Sequence, residues 1–142
     1  MAEWLSFWNA ETLDRNQDLD GGSVESIYVP YGKGRIALGD LIYCVGFDKE
    51  ELRLITRVRV ASLEDDPEDD ESVVIEDAGD GVRADFYRDV TPEVVEAIEY
   101  EHVDGSKHRM PVVAVSIDPS PFQGRSSIRA LADGARELDS LL

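Results

Sequence analysis

The chain has 142 residues, 42% of them hydrophobic, which is enough to close one core and makes a single domain the default. Its lone cysteine, Cys44, excludes an internal disulfide and a cysteine-rich zinc site, and points to a reducing cytoplasm. Acids outnumber bases 31 to 14, for a net charge of −17, and such a surface is best tolerated where salt shortens the screening length, so a salt-rich interior is expected. The opening Met-Ala-Glu-Trp-Leu-Ser-Phe-Trp lacks a basic leader, and no later apolar run approaches the roughly 18 residues of a membrane span; neither export nor anchoring is expected.

In chain order, Trp4 to Trp8 reads as a first strand, and Ala10 to Leu19 as a helix broken at Gly21-Gly22. Ser26 to Tyr31 is extended up to Pro30, and Gly32-Lys33-Gly34 is a flexible basic loop. Leu41 to Gly46 and Leu52 to Ser62 form a hairpin. Period-two alternation on its second strand sets Leu52, Leu54, Val58 and Val60 on one face and Arg53, Arg57 and Arg59 on the other, with Ile55 out of step. Glu64 to Glu71, seven acids and a proline, predicts a solvated loop.

Val73 to Glu76 and Val82 to Tyr87 are further strands, separated by a glycine-containing turn at 77–81. Thr91-Pro92-Glu93 starts a short helix ending near Ala97 or Ile98, with the threonine hydroxyl as cap. Glu99 to Val103 and Lys107 to Ile117 suit a second hairpin about Asp104-Gly105, in which Glu99 and Glu101 offset Lys107 and Arg109. Asp118-Pro-Ser-Pro121 ends it; Ser126 to Leu131 suits one or two helical turns, and Asp133 caps a closing helix with Ala135, Leu138, Leu141 and Leu142 on one stripe.

Catalytic groups are in short supply. His102 and His108 are the only imidazoles, Cys44 sits mid-strand where a small buried thiol is ordinary, and the carboxylates are too numerous for any pair to stand out. No strong metal spacing occurs and no cofactor motif surrounds the Gly32-Lys33-Gly34 loop, although its backbone could approach a phosphate. Asp40, after Gly39, reads as a turn residue. Aromatic residues are the more suggestive feature. Trp4, Trp8, Tyr28, Tyr31, Tyr43 and Phe47 crowd the first third, and flat rings sandwich unstacked bases; Trp8, Tyr28 and Tyr31 flank loops and are expected nearer the surface. Asn9 can read a base edge through its amide, or equally cap the helix that follows.

The segment Ile36-Ala-Leu-Gly-Asp-Leu-Ile-Tyr43, with Leu52-Arg-Leu-Ile-Thr-Arg-Val58 after the turn, resembles the Gly-Asp hairpin of PUA-like domains, including the EVE branch. Phe122 to Leu131 and the closing Glu137 to Leu142 are similar to the C-terminal segment of small EVE-like proteins. Together they cover about a third of the chain, each motif being moderately specific. The resemblance implies an α+β fold, a mixed and partly closed β-barrel with short peripheral helices. It also implies a pocket for a flipped, modified base, here drawing on Trp8, Asn9, Tyr28 and Tyr31, with Tyr43 nearer the barrel wall. Lys33, Arg35, Lys107, Arg109, Arg125 and Arg129 are the bases placed near a bound strand of DNA or RNA. An acidic chain in high salt must lean on stacking more than on phosphate contacts. The competing readings are a protein-interaction or regulatory domain without a nucleic-acid ligand, and a small nucleobase-derivative hydrolase with Lys33 or Cys44 pointing inward.

Overall fold

Alternating apolar residues become strands through most of the described chain, which in the computed structural model comprises residues 2–9, 11–12, 16, 26–48, 51–67, 69–78, 82–101, 105–109, 112–113, 116–117 and 127–142. In order these are β1 (Glu3–Trp8), β2 (Ser26–Val29), β3 (Leu41–Asp48), β4 (Glu51–Asp66), β5 (Asp69–Asp77), β6 (Val82–Asp89), helix α1 (Pro92–Ala97), β7 (Glu99–Glu101), β8 (Lys107–Arg109), β9 (Val112–Val113), β10 (Ser116–Ile117), β11 (Ile128–Asp133) and helix α2 (Ala135–Asp139). The fold is α+β and mostly sheet. A mixed sheet runs β2-β5-β4-β3-β1-β11-β7-β8, with β6 also on β4; among the described residues only β1 and β3 pair in parallel. Among the described residues its two ends, β2 and β8, do not meet, so the expected partly closed barrel is corrected to an open sheet.

Both faces of the central strands are buried. Leu5, Phe7, Tyr43, Val45, Leu52 and Leu54 pack against Val94, Val95 and Ile98 around α1 and Leu138 of α2. On the opposite face Trp8, Ile42, Cys44, Val58 and Val60 join Ile27, Val29, Val73 and Ile75 of β2 and β5. Ile55 explains how one strand serves both. Cys44 pairs with Thr56 but Val45 pairs with Leu54, leaving Ile55 as an extra residue, a β-bulge that reverses the parity of everything after it. Leu52 and Leu54 therefore face the helices whereas Val58 and Val60 face away, correcting the single apolar face expected from strict alternation. Arg57 is turned to the helical side, where its Nη1 lies 2.8 Å from Asp139 Oδ1.

The acidic run also departs from expectation. It is a hairpin tip, because β4 continues to Asp66 and β5 begins at Asp69, with those two residues in register. Leu63, Val73 and Ile75 supply the inward side chains while Glu64 and Asp65 stay in solvent, so the ladder forms despite the charge. Ser126 to Leu131 is corrected likewise: Ile128–Asp133 is a strand between β1 and β7. Ile128 fills one core and Leu131 the other, a two-sided burial that a helical turn could not achieve. The second hairpin keeps its turn, with Gly105 at φ 84, but its return strand stops at Arg109; Val112–Val113 and Ser116–Ile117 make a separate ribbon.

Helix α1 begins and ends where its residues indicate, but the Thr91 side chain makes no capping hydrogen bond. At α2 the cap residue is Gly134, whose N–H donates to Asp133 Oδ1 at 2.9 Å. Most of the expected helix over 10–19, together with His102, Asp104, Asp118 to Pro121 and Arg125, lies outside the described residues.

Asn16 closes the outer edge of β2. Its Oδ1 accepts from the Tyr28 N–H at 2.8 Å and its Nδ2 donates to the Tyr28 and Thr12 carbonyls, both at 3.1 Å, so the side-chain amide stands in for a neighbouring strand. Asn16→Ala leaves those backbone groups without it and is expected to cost about 2 kcal/mol. A urea titration checks this, as a lowered midpoint at unchanged slope.

Candidate nucleic-acid interface

Pro30 cannot extend the β2 ladder, and the chain turns there into the loop that leads to β3. Tyr31 adopts φ 59, the left-handed region that an aromatic residue seldom occupies. Buried Ser72 of β5 holds it: the Tyr31 N–H and the Tyr28 hydroxyl both reach Ser72 Oγ at 3.2 Å. Both rings are half-buried. The loop then winds tightly, with Arg35 and Ile36 N–H groups on the Gly32 carbonyl, and Gly32 is wedged so closely that a Cβ would lie 2.9 Å from Ile36 and from Val73 side-chain atoms. Lys33 donates its N–H to the Glu71 carbonyl, and its ammonium sits 3.3 Å from Asp65.

Arg35 reaches across the second core face to β11, where Nη1 donates to the Ile128 carbonyl at 3.0 Å. The next residue, Arg129, is 7% exposed, and its guanidinium lies 5.3 Å from the centre of the Tyr100 ring. Burial pushes the Arg129 guanidinium below its ordinary value; Tyr100 opposes that shift and Arg35 adds to it. Burial in turn raises the Tyr100 phenol, with Arg129 pulling it back.

The loop ends on Asp40, a charged side chain that is 4% exposed. Its Oδ1 accepts from the Ala2 N–H, and its Oδ2 from the Trp4 indole and the Ala37 N–H, all at 2.9 Å. Burial alone would raise this carboxyl, but the hydrogen bonds from Ala2, Ala37 and Trp4 prevail and hold it below the usual carboxylate value. What the sequence presents as a turn residue thus ties β1 to the loop; the Trp4 indole is a distant partner that no local pattern discloses.

The other expected site residues separate. Trp8, expected near the surface, is corrected to the core at 2% exposure, with its indole N–H on Ser6 Oγ. Tyr43 is fully buried; its hydroxyl donates to Asp139 Oδ1 at 2.8 Å, and burial together with that bond pushes the phenol up. Asn9 is exposed and its Oδ1 accepts the Thr12 N–H at 2.9 Å, the helix-cap alternative. Lys107 and Arg109 are exposed on β8, at the end of the strand order opposite to β2, and stand across the ladder from Glu101 and Glu99.

Cys44 is buried, and burial pushes its thiol well up, away from the thiolate a nucleophile needs. His108 is exposed on β8 with Nε2 2.9 Å from Ser106 Oγ. Ser72, Tyr100 and Asn16 escaped the sequence reading. The one signal for Ser72 was a small polar residue opening the apolar run Val73-Val74-Ile75. Among the described residues no helix is long and apolar enough to cross a membrane. Comparison of the chain with protein-family models, with curated proteins and with solved structures finds no match.

Proposed function

We propose that this chain is a nucleic-acid-binding module of PUA-like, EVE-branch character that recognises a modified or flipped base. Its ligand face is the β2–β3 loop. The observation that carries the reading is the left-handed Tyr31, pinned by Ser72 beside Lys33 and Arg35 on one loop. Unusual backbone held by its surroundings is a feature of ligand clamps. In this reading the rings of Tyr31 and Tyr28 stack on the base while Lys33 and Arg35 meet the phosphates. Trp8 and Tyr43 act as framework. The net charge of −17 works against phosphate steering, so stacking supplies most of the discrimination, as suits a salt-rich cytoplasm.

Fluorescence-anisotropy titrations at molar chloride, with DNA and RNA strands carrying modified or unmodified bases, test this. Tyr31→Ala is expected to weaken binding by about 10-fold or more, since a stacked base is worth roughly 1–3 kcal/mol, and Tyr31→Phe to retain it. Failure of the folded protein to bind any strand overturns the proposal. The protein-interaction reading would then take precedence, supported by Leu38, 66% exposed on the same loop.

A further inference from the structure

The β2–β3 loop is stitched along β5 just after the acidic hairpin tip. Tyr31 donates its N–H to Ser72 Oγ, Lys33 donates its N–H to the Glu71 carbonyl, and Gly32 between them packs on Val73. Val73 in turn stands opposite Asp65 in the β4–β5 ladder, one step before the Asp66–Asp69 pair at the tip. These contacts fix the Lys33 backbone beside a hairpin end that carries seven acids between residues 64 and 71. The side chain completes the approach, with the Lys33 ammonium 3.3 Å from Asp65 Oδ2.

A carboxylate oxygen there accepts from the ammonium as a phosphate oxygen would. The two side chains are 49% and 65% exposed, so the pair is loosely held and screened by salt, as an exchangeable contact must be. We infer that Asp65 of the hairpin tip is an internal competitor for Lys33, occupying the ammonium that a bound phosphate takes, with salt setting how strongly it competes. The inference rests on the nucleic-acid reading and adds regulation of the same loop. Its consequence is a muted salt response. Each cation that a single strand neutralises contributes about −0.7 to the slope of log K against log salt, because the strand releases condensed counterions. Where the cation must first leave a carboxylate, the freed Asp65 takes up a cation from solution as the strand gives one up, and that contact drops out of the slope. The acidic tip also repels the strand at low salt, and this penalty fades as the screening length shrinks.

The test measures single-strand binding by fluorescence anisotropy, from low to molar chloride, for the wild type, Asp65→Asn and Glu76→Gln. The last removes the same charge from an exposed position five residues beyond Glu71 on β5. Calorimetry with tripolyphosphate supplies a second probe that has phosphate oxygens and no base. Asp65 is exposed and asparagine matches its shape, so the hairpin is kept. Asp65→Asn is expected to bind either probe about 2- to 5-fold more tightly at low chloride and to merge with the wild type at molar chloride, its strand slope being steeper by about 0.7. Glu76→Gln should follow the wild type, and Lys33→Gln should erase the gain when combined with Asp65→Asn. Equal affinities and slopes for the wild type and Asp65→Asn, absence of binding to both probes included, overturn the inference, as does a gain shared by Glu76→Gln, which would assign the effect to net charge. Base discrimination lost in Tyr31→Ala but indifferent to Asp65→Asn leaves the recognition reading standing without the competitor. Tighter tripolyphosphate binding by Asp65→Asn, with no strand bound by any variant, supports the competitor and overturns base recognition.

Discussion

Asp40→Ala is expected to destabilise the protein by about 3–4 kcal/mol, since it strips a shared acceptor from three N–H donors, and each hydrogen bond to a charged group is worth roughly 1.5–3 kcal/mol before partial replacement by water. Asp40→Asn should be nearly as harmful, because its amide turns N–H groups toward donors that need an acceptor. Chemical denaturation of both variants, with Trp4→Phe to complete a double-mutant cycle, measures the effect; additive losses for Asp40 and Trp4 would mean that their 2.9 Å bond contributes nothing of its own. A pH signature follows from the same geometry. The folded carboxyl lies below its ordinary value of 3.8, so its stabilisation is complete above that value and drains away as acid pH falls toward the depressed folded value. The wild type should show this acid-side loss more steeply than Asp40→Ala.

Gly134→Ala is the second large effect, with about 3 kcal/mol of destabilisation expected. Gly134 joins β11 to α2 at φ 104, where any Cβ costs roughly 1–2 kcal/mol. That Cβ would lie 2.9 Å from Ile98 Cα and 3.0 Å from the Ala97 carbonyl oxygen, so the end of α1 would have to move away from the start of α2. Gly34 provides the control. It has φ 77 but open space around it, so Gly34→Ala should show the backbone cost alone, and a matching loss in the two variants would exclude the packing contribution at Gly134. Thermal unfolding of the pair reads the difference directly.

A long-range contact separates what local pattern could show from what it could not. Arg35 illustrates the point for the site: its loop was legible from Gly32-Lys33-Gly34, yet its hydrogen-bond partner, the Ile128 carbonyl, lies on a strand 93 residues away, where local propensity favoured a helical turn. The rings divide in the same way. Tyr28 and Tyr31 stay half-buried at a strand end, whereas Trp8 and Tyr43 lie on strands covered on both faces, so every position there is interior whatever its parity.

The sequence by itself determined the features that need only neighbours within a turn or a strand. Those are the apolar strands from Trp4 to Trp8 and from Leu41 to Gly46, the start of α1 at Pro92, the Gly105 turn and the closing stripe through Leu138. Side-chain periodicity and backbone permissiveness carry that information locally. Long-range pairing made Ile55 a bulge, set Asp66 opposite Asp69 at a hairpin tip, made 128–133 a strand and made Asp40 a buried hub. Each depends on which distant strand supplies the hydrogen bonds and which core receives the side chain, and those free energies outweigh local preferences of a few tenths of a kcal/mol per residue.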